Sequence, residues 1–158
     1  MKIAYTGRER PARAVLVVSF LVLSQIAYAA GQPTGFRNFK WGAPPSGKLK
    51  KTASGPDGST MYVPASGKKL APLFGLPVTE EAYMFSNGRF YSGIAYIKGN
   101  DNFEKMKAIL NKEYGKPSFA NESSNIWKWK WPGSQIEVHL YYQTKFTTTT
   151  VTFVNNGI

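Results

Sequence analysis

The sequence predicts an α+β fold: an antiparallel sheet made of a β-hairpin and a three-strand meander, with one helix packed on one face. Three observations carry that reading. Asn87-Gly88 separates two apolar runs, the strongest short hairpin signal, because both residues tolerate positive φ. Residues 101–114 hold apolar side chains at helical spacing, and residues 126–154 contain three runs with the period of a strand. The chain has no βαβ rhythm and no internal repeat, which argues against a doubly wound nucleotide fold.

Taken in order, the elements begin with an address. Lys2, Arg8, Arg10 and Arg13 form a basic leader, Ala14–Leu23 is an apolar run, and Ala27-Tyr28-Ala29 puts small residues where a signal peptidase reads. Residues 1–29 therefore read as a secretory signal peptide of bacterial character, which places the protein in the periplasm or outside the cell. A spanning helix needs about 20 apolar residues. Ser24-Gln25 ends this run early, so the mature chain is expected to have no transmembrane span. Cleavage after Ala29 leaves 129 of the 158 residues, with 16 basic and 8 acidic side chains. A chain of that size buries roughly two thirds of its unfolded surface, enough to fold without disulfides. The sequence has no Cys and one His, which excludes a disulfide framework, a thiol nucleophile, a Cys-based metal site and a multi-histidine centre. No cofactor or metal is expected.

The mature chain has two unlike parts. Residues 30–69 read as a basic Gly/Pro/Lys-rich segment with short docked strands, and residues 70–158 as the α+β core domain. In the first, Arg37, Lys40, Lys48, Lys50, Lys51, Lys68 and Lys69 face a single acid, Asp57; in the second, nine basic residues nearly balance seven acids. Phe36–Trp41 reads as a docked strand. Pro44-Pro45, Gly47, Gly55-Pro56 and Asp57-Gly58 punctuate residues 43–60, which read as a mobile loop.

Within the core, the Asn87-Gly88 turn joins strands over 82–86 and 89–98, setting Phe85 opposite Phe90 and Met84 opposite Tyr91. Asp101 is placed to cap a helix and Glu104 to reach back in a capping box. Phe103, Met106, Leu110 and Tyr114 form its apolar stripe, and Gly115 with Pro117 ends it. Residues 126–131 and 135–142 alternate around Pro132-Gly133. Parity decides their pairing: a loop of two or four residues sets the tryptophans opposite Ile136, Val138 or Leu140, whereas an odd loop sets them against Glu137 and His139. The two-residue version also pairs Lys128 with Glu137. Residues 146–154 form a last, Thr-rich strand with one solvated face.

Few residues carry chemistry. Residues 42–49 resemble a P-loop in outline, yet Leu49 stands where a hydroxyl must bind magnesium, and two prolines remove phosphate-cradling N–H groups. Trp127, Trp129 and Trp131 alternate with lysines like a stacking platform; their apolar partners make them core, with Trp131 at the strand end the candidate exposed aromatic. His139 lies on a polar strand face beside Glu137 and Tyr141, and no G-x-S-x-G elbow accompanies it. Glu80 and Glu81 are adjacent and so point to opposite faces of a strand. The sequon Asn121-Glu122-Ser123 reads as a chance match. The functional lead is the basic set Arg37, Lys40, Lys48, Lys50, Lys51, Lys68 and Lys69, suited to polyanions: an anionic glycan, a lipid headgroup or nucleic acid.

Phe36-Arg37-Asn38-Phe39-Lys40-Trp41-Gly42 resembles the F-R-x-x-K-W-G opening of a group of small uncharacterised exported bacterial proteins. The likeness continues through Tyr83-Met84-Phe85, Gly88-Arg89-Phe90-Tyr91-Ser92, Lys98-Gly99, Asn102-Phe103, Leu110 and Tyr114-Gly115. It implies export and a shared fold, and it carries over no catalytic residue. The Lys/Pro/Gly segment departs from that pattern, where more acidic residues are expected. Three functions follow as expectations: a non-enzymatic exported binding or accessory domain for anionic envelope components, a protein–protein module contacting an envelope protein, and a small hydrolase built around His139.

Overall fold

The computed structural model describes residues 31–65, 67 and 69–158. The expected signal peptide and Lys68 lie outside them. A two-stranded ribbon, β1 (Gly35–Phe36) and β2 (Phe39–Lys40), leads into β3 (Leu49–Ser54), β4 (Ser59–Pro64), β5 (Glu80–Ser86) and β6 (Arg89–Lys98). Helix α1 (Asn100–Tyr114) follows, then β7 (Phe119–Asn121), β8 (Ile126–Lys130), β9 (Ile136–Gln143) and β10 (Thr148–Asn155). Strands β3 to β10 form one antiparallel sheet in the order β3-β4-β5-β6-β10-β9-β8-β7. Among the described residues, no helix is long and apolar enough to cross a membrane.

The α+β class is as expected, but the sheet has eight strands in place of a hairpin and a three-strand meander. Strand β3 and the first residues of β4 come from the segment, residues 43–60, whose composition reads as a mobile loop. Its Gly and Pro residues mark the ends of a hairpin rather than a long loop. Gly55 to Gly58 make the turn, where Gly55 donates its N–H to the Ser59 carbonyl at 2.8 Å. Asp57 Oδ1 accepts from the Ser59 hydroxyl at 2.6 Å. Strand β4 then pairs with β5, so the sheet runs across the boundary expected between residues 69 and 70.

From β6 the chain crosses through α1 to the far edge at β7 and returns strand by strand. The last strand, β10, drops between β9 and β6. Strand β10 therefore joins the two halves of the sheet.

The register departs from expectation in instructive places. Phe85 opposes Phe90 around a turn with φ of 48° at Asn87 and 74° at Gly88, as a type I′ turn requires. Met84 opposes Ser92 rather than Tyr91, because a bulge after Met84 shifts the ladder. The tryptophans follow the even parity: Trp127 faces Leu140 and Trp129 faces Val138. Lys128 meets His139, and Lys130 meets Glu137, so the four-residue turn is the one adopted.

The capping box does not form. Gly99 is the N-cap with φ of 99°, and the helix starts one residue before Asp101, without a side-chain cap bond. Glu104 pairs with Lys107 at 2.7 Å, one turn along, instead of reaching back. Thr144–Phe146 form a 3-10 turn, and Thr147 is left-handed, so β10 begins at Thr148 rather than Phe146.

One face of the sheet is covered twice. Phe103, Met106 and Leu110 of α1 pack over the β8–β10 half, where the Phe103 ring meets Trp127 at 5.2 Å and Tyr142 at 5.3 Å. The ribbon and the residue after it cover the β4–β6 half with Phe36, Phe39 and Trp41. Phe36 lies so close to β6 that a Cβ at Gly93 would overlap its ring. Two of the P-loop-like residues pair with the backbone at the start of β6: Gly42 N–H donates to the Phe90 carbonyl at 2.8 Å, and Phe90 N–H to the Ala43 carbonyl at 2.9 Å.

Candidate functional site

The basic residues singled out in the sequence divide into one that the fold consumes and several that it displays. Arg37 occupies the tight turn between β1 and β2 with φ of 56°, a region costly for any residue but glycine or asparagine. This conformation goes with a guanidinium bonded on several sides. Nε donates to Glu81 Oε1 at 2.8 Å, Nη1 to the Pro72 carbonyl at 2.8 Å, and Nη2 to the Ala71 carbonyl at 2.6 Å and to Glu81 Oε1. Tyr83 donates its hydroxyl to Glu81 Oε2 at 2.7 Å. Burial pushes the Tyr83 phenol well up, and the adjacent Glu81 adds to the shift, so Tyr83 stays a neutral donor.

This cluster ties the ribbon, the 71–72 loop and β5 together. Burying a carboxylate is costly unless it is paired and hydrogen-bonded, and Glu81 is both. Arg37 is accordingly a structural residue here, not a free cation. The charge pattern of the sequence does not by itself single out Glu81 and Tyr83. A signal is present all the same: Glu81, Tyr83 and Phe85 share one parity, so an acid on the core-facing side of β5 demands a cationic partner.

Above the cluster opens a cleft of about 240 Å³ bounded by Lys48, Leu49, Pro64, Lys69 and Leu70. The fold thus gathers Lys48 and Lys69, 21 positions apart in sequence, at one mouth. Lys50 and Lys51 continue up β3 on opposite faces of the sheet edge, both exposed. Lys40 lies apart, on the rim of a second hollow beside Arg37 and Asn38. Among the described residues, Lys40, Lys48, Lys50, Lys51 and Lys69 enter no ion pair. Lysines on an edge strand also deter pairing with another chain, and the bulge between Lys51 and Ala53 adds to that protection.

The other candidates resolve as follows. Trp127 and Trp129 are buried core, and Trp129 Nε1–H donates to the Gly115 carbonyl at 2.9 Å, closing the end of α1. Trp131 is half-buried rather than displayed, with its ring edge-on to Tyr114 at 5.3 Å. Burial, with Glu113 adding to it, pushes the Tyr114 phenol up to about 12. His139 Nε2 lies 2.7 Å from Glu137 Oε2, and Lys130 Nζ lies 3.1 Å from Glu137 Oε1. His139 has Lys128 and Thr152 as its cross-strand neighbours, with no serine in register.

Compared with known proteins, the chain matches no family model, no curated protein and no solved structure.

Proposed function

We propose that the protein is an exported, periplasmic or extracellular binding or accessory domain, non-enzymatic, that contacts anionic envelope components through its basic edge. The observation that carries this reading is the set of exposed lysines, Lys48 and Lys69 at the cleft mouth with Lys50 and Lys51 on β3, which have no anionic partner among the described residues. Placing like charges at one end of a sheet without counter-ions costs stability and attracts polyanions. Each lysine engaged by such a ligand releases counterions, so affinity depends steeply on salt. The leader at residues 1–29 and the F-R-x-x-K-W-G resemblance support export.

Titration of the purified protein with heparin and with lipopolysaccharide over a salt series tests the reading. Binding should weaken steeply with salt. Replacing Lys48, Lys50, Lys51 and Lys69 together by Ala should flatten that dependence, by about one unit of log–log slope for each lysine that engages the ligand. All four are exposed and removing them relieves like-charge repulsion, so the variant should melt no lower than the wild type. Unchanged binding by the variant refutes the role of the edge, and salt-insensitive capture of one stoichiometric envelope protein favours the protein–protein reading instead.

A further inference from the structure

At the opposite end of the sheet a cleft of about 310 Å³ opens between the β7–β8 turn and the loop joining β9 to β10. Its composition differs from that of the basic edge. Tyr141 and Phe146 line it and expose 37% and 60% of their surfaces, two of the four large apolar side chains that the described residues leave open to water. Around them stand Asn125, Gln143 and Thr144. Among the described residues, the side-chain amides of Asn125 and Gln143 and the hydroxyls of Tyr141 and Thr144 make no hydrogen bond within the protein. Lys145 is the one charged residue lining the cleft, and its Nζ lies 5.6 Å from the Phe146 ring centre.

The walls are held in place. Tyr142 N–H donates to the Asn125 carbonyl at 3.1 Å, tying the end of β9 to the β7–β8 turn. Thr147 takes a left-handed conformation, φ 47° and ψ 39°, which is a marked outlier for a β-branched residue. Strain of this kind persists where the surroundings over-determine it, and it concentrates at binding sites. Thr147 lies between Phe146, which stays on the surface, and β10, which begins at Thr148.

We infer that this cleft is a saccharide-binding site. A sugar ring presents an apolar C–H face and a rim of hydroxyls. Exposed aromatic side chains match the first, and amide and hydroxyl side chains, donors and acceptors at once, match the second. A concave surface with a few convergent polar groups is the common form of a small-ligand site. The single lining charge points to a neutral sugar, a ligand chemistry separate from that of the lysine edge.

The test is a titration of the isotope-labelled protein with tri-N-acetylchitotriose and with maltotriose, followed by amide NMR shifts. Saturable shifts confined to residues 123–125 and 141–147 are expected for at least one of the two. Phe146→Ala and Tyr141→Ala should each weaken that binding about tenfold. Gln143→Ala, at a half-buried position outside the core, should weaken it as well. The Lys48, Lys50, Lys51 and Lys69 replacement should leave the sugar titration unchanged, which separates this site from the basic edge. No saturable shift with either sugar, or shifts that survive both aromatic substitutions, overturns the inference.

Discussion

Arg37 and Glu81 stand 44 positions apart in the chain and meet as a partly buried ion pair, Glu81 Oε1 accepting from Nε and Nη2 of one guanidinium. The pair couples the N-terminal ribbon to β5, so a segment with few apolar anchors becomes part of the core cover. Glu81→Ala removes the counter-charge and leaves a half-buried guanidinium bonded only to carbonyls. The expected loss is about 3 kcal/mol, read by urea denaturation. Arg37→Met with Glu81→Leu should recover most of it, because apolar replacement of a buried pair is often neutral. A double variant as unstable as the single one would show that the ribbon is held by other contacts. Tyr83→Phe, which removes one hydrogen bond to Glu81, should cost about 1 kcal/mol.

Gly93 and Phe36 make the second point of attachment. The ring occupies the space a side chain on β6 would need, since a Cβ there would overlap ring carbons. Gly93→Ala should therefore cost about 2 kcal/mol by overpacking. Phe36→Ala should cost about 3 kcal/mol by leaving a cavity. The two effects should not add. With Phe36 truncated, the two ring carbons nearest the methyl introduced by Gly93→Ala are gone while the Phe36 Cβ, 2.5 Å from it, remains, so the clash is relieved in part and a double-mutant cycle gives a coupling outside measurement error. Additive losses would mean that Phe36 relaxes away from β6 without resistance.

How much of this is legible in the sequence depends on the range of the interactions. The Asn87-Gly88 turn, the α1 stripe and the parity of the tryptophan strand are local or near-local patterns, and the structure follows them. The β3–β4 hairpin is not legible. Its first strand is LKKTAS, exposed along most of its length, so there is no apolar alternation to read, and its stability comes from β4 pairing with β5. Arg37 reads as a free cation for the related reason that its partner lies far along the chain. The lysine cluster is visible as composition, but the meeting of Lys48 and Lys69 at one cleft needs the fold. The cleft at Tyr141 and Phe146 leaves no sequence signal, because Phe146 opens a Thr-rich run and reads as a strand residue.

Thr149 offers a prediction that runs toward greater stability. It lies on the core face of β10, fully buried, with a hydroxyl that has no hydrogen-bond partner among the described residues. Its neighbours Thr148, Thr150 and Thr152 belong to the opposite, half-buried face, where the Thr150 hydroxyl is likewise buried without a hydrogen-bond partner among the described residues. A buried hydroxyl without a partner costs free energy, and Val has nearly the same shape. Thr149→Val should stabilise the protein by about 1 kcal/mol and raise its midpoint in urea without changing the slope. Destabilisation would show that the hydroxyl is satisfied in solution.

The half-buried face carries a titratable group whose sign is fixed by its surroundings. The hydrogen bond with His139 is the main influence holding the Glu137 carboxyl below its ordinary value of 4.5; burial opposes the shift, and Lys130 supports it. Val154 of β10, opposite Glu137, is uncharged, so the charged neighbours are those on β8 and β9. A carboxyl whose value is lower in the folded than in the unfolded chain binds fewer protons when folded. Its stabilisation is complete above about pH 4.5 and is lost as the pH falls through the lower folded value. Wild type should therefore be more stable than Glu137→Gln at neutral pH, and the difference should shrink in acid. Carbon-detected NMR of the Glu137 carboxyl should place its midpoint below 4.5, and His139→Ala should move it back up. A midpoint at or above that value in the wild type would mean that the His139 contact does not hold in solution.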